Sequence, residues 1–295
     1  MKASIGICAY NEEKNVGKLI EALLKQRMPK RHEIKEIFVV ASGCTDRTEE
    51  ITKKLMKKSK RIKLISQKEK RGKASAINLF LKKAKGDILI LQSADTLPAN
   101  ANTIYNLIKP FKDKKIGMSG GCSHPINDRK KFMGFTVHLV WGLHHLIALE
   151  SPKLGEIVAF RNLVKSIPED TAVDEAAIEA QIEKKGYKLA YAADAIIDNK
   201  GPETLKDFIK QRKRIYIGHM HLKKTQYYSP STENKLHVLK VLIKQSEISP
   251  KKLLWTCFAV ALDVYIRLLA ITDFYLLRRN PYNWQVSKTT KDLKK

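Results

Sequence analysis

The chain has 295 residues, 43% of them apolar, and its 56 Lys and Arg against 30 Asp and Glu give a formal charge of +26. That length and apolar content can bury a sizeable core, which excludes a disordered or fibrous chain and fits one large domain or one domain with an appendage. The charge calls for a polyanionic neighbour such as nucleic acid, an anionic bilayer or a phosphorylated substrate, although most lysines (Lys53, Lys54, Lys57 and Lys58 among them) recur at the spacing of a solvated helix face. Cys8, Cys44, Cys122 and Cys257 form no C-x-x-C pair, which argues against a zinc ribbon or a disulfide-stapled module and for a reducing, cytoplasmic setting. A strand pattern opens at residues 3–13 with no leader-like run before it.

Through residue 119, short apolar or β-branched runs alternate with amphipathic stretches, the pattern of βαβ units that build a parallel sheet. Strands are expected at 4–9, 36–41, 62–66 and 87–92. Between them, Val16, Leu19, Ile20 and Leu23, then Ile51 and Leu55, then Ala74, Ile77 and Leu81 mark helix faces. A helix through Ile104, Leu107, Ile108 and Phe111 and a strand at 116–121 follow. Residues 130–149 are apolar and carry Trp141, His144 and His145, to which no chemistry is assigned. Further on, 155–160 and 187–192 read as strands, with a helix from Ala176 to Lys185 between them.

Residues 223–235 turn polar and turn-rich, which predicts a boundary between an α/β domain over 1–222 and a helical region over 223–295. Residues 253–277 form an apolar helix long enough to span a bilayer, but Asp263, Arg267 and Asp273 interrupt it. Charges at mid-helix are costly in hydrocarbon, and basic residues flank both ends: Lys251, Lys252, Arg278 and Arg279. A helix lying in an anionic interface is therefore preferred to a span, with a buried soluble helix as the alternative.

In parallel sheets ligands bind beyond the carboxyl ends of the strands, so the polar residues there are the first candidates. Tyr10, Asn11, Glu12 and Glu13 close the first strand, a sequence that also suits a helix start. SGCTDRT (42–48) closes the second, with Gly43 for a tight turn. The fourth ends in Gln92-Ser93-Ala94-Asp95-Thr96, placing the Asp95 carboxylate where it could hold a hard cation against a diphosphate or merely cap a loop. Lys73 could meet phosphate oxygens or lie exposed at a helix start. Asp174 and Glu175 open a helix, Gln211 to Arg214 could be a solvated basic turn, and His219 and His221 read best as surface or packing residues.

The segments AYNEE, VVASGCTDRT, RGKASAIN and LILQSADTLP, continued by GEIVAFRN, AVDEAAIEAQIEKKGYKLAYAADAII and QRKRIYIGH, occur in one order over residues 1 to about 222. In this the chain resembles the family 2 glycosyltransferases. The resemblance implies a GT-A fold, a mixed and mostly parallel α/β sheet flanked by helices, and inverting transfer from a nucleotide-diphosphate sugar. It places Tyr10, Glu12, Ser42, Lys73 and Ser93 at the donor nucleotide and Asp95 on a Mg2+ or Mn2+ ion. Glu175 becomes the general base, with Asp174 beside it as the alternative, and Arg161, Gln211, Arg212 and Arg214 serve the diphosphate and acceptor. Four positions depart from the family pattern: Ser42 and Ser93 stand for aspartates, Asp174-Glu175 reverses the usual Glu-Asp order, and Ile215 stands for tryptophan.

The expected partners are a UDP- or GDP-sugar, a lipid-linked or glycan acceptor, and an anionic membrane surface on the cytoplasmic face. Nucleic acid is not expected, because only 7% of residues are aromatic and most tyrosines lie outside the strand patterns. A nucleotidyltransferase would carry a glycine-rich basic loop where AYNEEKN stands. A glycosyltransferase-like protein without activity is the other rival, opposed by the survival of Asp95 and Glu175.

Overall fold

In the computed structural model of the protein, described over residues 1–228, 238–242 and 249–278 and at positions 290 and 293, eight strands form one mixed sheet. The first half alternates as the spacing predicts: β1 (Lys2–Ala9), α1 (Val16–Leu24), β2 (Glu33–Ser42), α2 (Thr48–Met56), β3 (Ile62–Gln67), α3 (Lys73–Lys83) and β4 (Ile88–Ser93). Then come β5 (Thr96–Pro98), α4 (Thr103–Ile108), β6 (Ile116–Pro125), α5 (Phe132–Glu150), β7 (Ile157–Arg161), α6 (Asp174–Lys184), β8 (Lys188–Asn199), α7 (Leu205–Gln226) and α8 (Pro250–Tyr275).

The strand order is β3-β2-β1-β4-β7-β6-β8-β5. β1 pairs in parallel with both β2 and β4, and β2 with β3, so the carboxyl ends of these strands share one edge. β7 runs antiparallel to β4, with Gln92 opposite Ile157 and Ile88 opposite Arg161. That reversal puts the amino end of β7 at the same edge and its carboxyl end at the far one.

The β4 run is apolar throughout because both faces are covered. Ile88 and Ile90 pack into one core layer with Ile5, Leu19 and Ile37, while Leu89 and Leu91 pack into the other with Ile77, Phe80 and Phe160. Gly6 admits the Phe80 ring, which lies 2.7 Å from where a Cβ would stand. Truncating a ring so enclosed costs about 3–5 kcal/mol.

Several elements differ from expectation. The helix through Phe111 breaks at Ile108, and a short 3-10 turn over Lys109–Lys112 takes its place, because Pro110 has no N–H to continue the ladder. The strand expected at 187–192 continues to Asn199 past a register shift opposite Gly121/Cys122. α7 begins at a Thr204 cap whose Oγ1 accepts from the Asp207 N–H at 3.2 Å, and it runs unbroken across position 222 to Gln226. Of the expected boundary segment, residues 229–235 lie outside the described residues.

The charges that interrupt the C-terminal apolar run face inward. Asp263 of α8 accepts from Arg212 Nη2 at 3.3 Å, from Arg267 Nε at 2.7 Å and from the Tyr216 hydroxyl, and Asp273 pairs with Lys213 at 2.6 Å. Tyr216 presents its ring to both guanidinium groups, at 4.9 Å from Arg212 and 4.3 Å from Arg267. Trp255 meets Phe132 and Phe135 of α5 edge to face. The outward face of α8 is left apolar, with Leu254, Phe258, Val264, Tyr265, Leu268 and Ile271 exposed. By length and composition, α5 and α8 could each cross a membrane.

Candidate active site

A cavity of about 740 Å3 opens at the shared strand edge, and its lining includes Tyr10 and Glu12 after β1, Ser42 at the end of β2, Lys73 at the start of α3, and Ser93 and Asp95 after β4. The loops that build this floor are stitched together. Thr48 Oγ1 accepts from the Glu12 N–H at 2.8 Å, Asp46 Oδ2 from the Glu13 N–H at 3.0 Å, and Asn11 Oδ1 from the Thr45 N–H at 2.8 Å. Gly43 turns at φ 63 with Lys70 N only 2.6 Å from a would-be Cβ, so a side chain there would force the rim apart. Ser42 donates its hydroxyl to Gln67 Oε1 at 2.7 Å, and Lys70 lies 4.5 Å over the Tyr10 ring. Burial pushes the Cys8 thiol up to about 12, so it is a neutral wall and not a nucleophile.

Lys73 joins the two acids that open α6. Its Nζ lies 2.7 Å from Glu175 Oε1 and 3.1 Å from Asp174 Oδ2. Both acids line the cavity, Asp174 with 2% of its side chain exposed and Glu175 with 21%, so Glu175 is the more accessible of the two. Burial opposes ionisation of Glu175, but the Lys73 ammonium beside it and the bond they share hold its pKa below the ordinary value. For Asp174 burial prevails over Lys73 and the pKa is raised. Burial also opposes the charge on Lys73, yet Glu175 and Asp174 outweigh it and keep the amine well above the ordinary lysine range.

Glu156 is the site residue that the sequence did not point to. It precedes the antiparallel β7, stands at φ 52, and its carbonyl accepts from the Ser93 N–H at 3.2 Å, so it lines the cavity beside the end of β4. Burial first, then the Asp95 and Glu175 carboxylates, raise its pKa. A lone Gly-Glu before an apolar run carries no signal for this; the strand reversal creates it. The reversal also corrects the expectation for Arg161. That residue sits opposite Ile88 at the far edge, where its guanidinium donates to the carbonyls of Ile116, Phe111 and Asp113 at 2.8, 3.3 and 3.2 Å. It braces the turn after α4 and has no access to the cavity.

Around Arg214 gather four carboxylates, Asp174, Glu175, Glu156 and Asp95. Lys73 stands beside two of them. No group of three or more His, Cys, Asp or Glu side chains is arranged to hold a metal among the described residues. The two carboxylates Asp95 and Glu156 nevertheless offer the oxygen donors that suit a hard divalent cation, one whose remaining positions a phosphate ligand would fill.

The opposite wall comes from α5 and α7. Trp141 and His144 line it, 5.2 Å apart edge to face, and burial pulls His144 down to about 3, so it is neutral. Gln211 also faces the cavity. Arg212 is engaged with Asp263 and Tyr216, which ties this wall to α8. Ile215, at the position where the family carries tryptophan, packs against the core. Of the two histidines read as packing residues, His221 meets Phe274 of α8 at 5.9 Å, whereas His219 lines the cavity, pulled down to about 3 by burial. His219 Nδ1 and Asp174 Oδ1 are buried with no hydrogen-bond partner among the described residues.

The cavity lies at the carboxyl edge of a mostly parallel sheet, where α/β sheets bind their ligands, floored by a β4-terminal carboxylate and walled by an acid pair. The chain belongs to glycosyl transferase family 2, whose sequence model matches residues 4–161. It is 25% identical over 236 residues to a probable glycosyltransferase, YdaM, of Bacillus subtilis (strain 168), covering 75% of this chain and 56% of that one. It is also 25% identical over 262 residues to the poly-beta-1,6-N-acetyl-D-glucosamine synthase of Staphylococcus aureus (strain COL), covering 84% of this chain and 61% of that one. The chain thus spans less than two thirds of the length of these relatives.

Among solved structures, a mannosyltransferase of Pyrobaculum calidifontis in complex with GDP-Man and Mn2+ aligns with a TM-score of 0.62 at 21% identity, covering 95% of this chain and 81% of that one. TarS 1-349 of S. aureus with UDP-GlcNAc aligns at 0.52 and 17% identity, covering 94% and 92%. Glucosyl-3-phosphoglycerate synthase of Mycobacterium tuberculosis with Mn2+, UDP and glucosyl-3-phosphoglycerate aligns at 0.53 and 16% identity, covering 78% and 81%. The fold is that of GT-A glycosyltransferases.

Proposed function

We propose that this chain is an inverting transferase that moves a sugar from a UDP- or GDP-sugar to a hydroxyl of a lipid-linked or glycan acceptor, with Glu175 as general base. The placement of Glu175 supports this conclusion: of the two neighbouring acids that line the cavity, it is the more exposed, and its lowered pKa keeps it ionised. A base within hydrogen-bond reach accepts the proton of the acceptor hydroxyl while the new bond to the anomeric carbon forms. The bond from that carbon to the diphosphate oxygen breaks on the opposite face, which inverts the configuration. Asp174 also lines the cavity but is less exposed, and its raised pKa leaves it less ionised, so it is the weaker candidate.

Tyr10, Glu12 and Ser42 would bind the nucleotide, and Ser93, Lys73 and Gln211 would take its diphosphate, with Arg214 adding positive charge. A diphosphate that enters beside the Asp95 and Glu156 carboxylates meets their like charge, which a counter-ion would offset. Asp95 and Glu156 would hold Mg2+ or Mn2+, which when bound stabilises negative charge on the departing diphosphate. Trp141 offers the acceptor an aromatic wall in place of the one that Ile215 lacks.

The apolar face of α8 supports docking on an anionic bilayer at its cytoplasmic face. Its acids are turned toward α7, its outward residues are uncharged, and basic residues stand at its start. At about 1.5 Å per residue the helix offers a ridge of about 39 Å, bonded to α7 in a way that favours lying in the interface over spanning. The 1–222 and 223–295 division is retained as a division of labour, transfer in the first part and membrane contact in the second.

The decisive assay is sugar transfer from UDP- and GDP-sugars by Asp95→Ala and Glu175→Gln, each checked for folding by circular dichroism. Both variants are expected to lose transfer by at least about a hundredfold; turnover like the wild type in either would remove that residue from its role.

A further inference from the structure

We propose that Lys73 is a latch on the general base, and that the donor's diphosphate opens it. The proposal rests on the reading of Glu175 as base and of the cavity as the donor site. Lys73 Nζ bonds Glu175 Oε1 at 2.7 Å and Asp174 Oδ2 at 3.1 Å, bridging α3 to α6 across the cavity wall. A carboxylate in such a pair is a poor proton acceptor, since protonation would cancel the charge that holds the ammonium and leave a buried cation without its counter-charge. Glu175 is thus positioned but masked.

The lysine is placed to change partners. It opens α3 directly after Gly72, which turns at φ 88, so its backbone sits at the rim of the strand-end cleft and its side chain keeps 26% exposure. Lysine carries a compact charge on a flexible four-carbon stem and binds phosphate as a point charge. A diphosphate presents more negative charge than one carboxylate, and in this cleft it finds Lys73 and Arg214 set among four acids. When Nζ turns to the diphosphate, Glu175 stays in place, held near Arg214 at the start of α6, and is free to take a proton. The base is then competent only once donor is bound, which suppresses proton traffic in the empty site and imposes donor-first order.

A binding cycle tests this without relying on turnover. Dissociation constants of UDP and GDP, with UMP and GMP as controls, are measured with Mn2+ present for the wild type, Glu175→Gln, Lys73→Met and the double variant. Breaking the ion pair is a cost of diphosphate binding in the wild type, so Glu175→Gln is expected to tighten the diphosphate about fivefold. With Lys73→Met already present, Glu175→Gln is expected to add almost nothing. Equal tightening in both backgrounds would mean that Glu175 merely repels the phosphates through space, and would overturn the latch; so would no tightening at all.

Lys73→Met alone leaves two acids uncompensated and could unfold the protein, so a second measurement stands independently. In a crystal structure of the wild type with UDP or GDP, Lys73 Nζ is expected within hydrogen-bond reach of a diphosphate oxygen and beyond about 4 Å from Glu175. Retention of the 2.7 Å pair with diphosphate bound would refute the latch while leaving the donor reading intact. Failure of the folded wild type to bind either nucleotide would instead remove the donor reading and the latch with it.

Discussion

Glu179 lies one turn beyond Glu175 on α6 and is 1% exposed. Its Oε1 accepts from the Leu154 N–H at 3.0 Å and its Oε2 from the Tyr228 hydroxyl at 2.8 Å, so it ties the loop that carries Glu156 to the end of α7. Burial outweighs both bonds and pushes its pKa from 4.5 up to about 7. A carboxyl whose folded pKa is raised binds its proton more tightly folded than unfolded, so stability falls as pH climbs from about 4.5 to about 7 and is flat above. A gap of about 2.5 pH units at about 1.36 kcal/mol each caps the loss at about 3 kcal/mol.

Between about pH 5 and about pH 7.5 the wild type is then expected to lose about 2 kcal/mol more than Glu179→Gln, which can satisfy both partners without titrating. Urea unfolding of both proteins at the two pH values measures the difference. Parallel pH dependences would show that Glu179 does not carry a raised pKa and would refute the reasoning.

Four further outcomes are expected. Mn2+ should bind the free protein weakly and at least about tenfold more tightly with UDP or GDP present, because few protein oxygens face the ion and phosphate must complete its shell; calorimetric titration giving equal affinities would reveal a ligand not yet identified. Trp141→Ala should raise the KM for a glycan acceptor about tenfold while donor affinity stays within about twofold, and an unchanged acceptor KM would remove Trp141 from the acceptor wall. Asp263→Ala removes the carboxylate shared by Arg212, Arg267 and Tyr216. It should cost about 1–3 kcal/mol of stability and loosen α8; co-sedimentation with phosphatidylserine vesicles tests the docking role of α8, and binding by Leu254→Glu/Phe258→Glu as strong as that of the wild type would exclude it.

Much of the first half of the chain was legible from local pattern. The apolar runs of β1, β2 and β4 are buried on both faces, and the alternation of Ile88 and Ile90 with Leu89 and Leu91 between two core layers follows from the two-residue repeat of a strand. Polar residues at the ends of those strands were bound to share one edge, because parallel strands joined by helices all point the same way. So Tyr10, Ser42, Ser93 and Asp95 could be named as neighbours from sequence alone.

What the sequence could not decide depends on strand direction and on side chains far apart in the chain. Of the two ends of β7 the sequence points only to Arg161, whereas the antiparallel pairing with β4 sends Gly155-Glu156 to the cleft and Arg161 to the far edge. Lys73 and Glu175 are separated by 102 positions, and only the fold's placing of the starts of α3 and α6 at one cleft makes them a pair. The charges in the C-terminal apolar run argue by composition against a membrane span, because hydropathy assigns each residue a cost without knowing its partner. The tertiary structure supplies Arg212 and Lys213 as those partners and turns an interrupted helix into one with an uninterrupted apolar face.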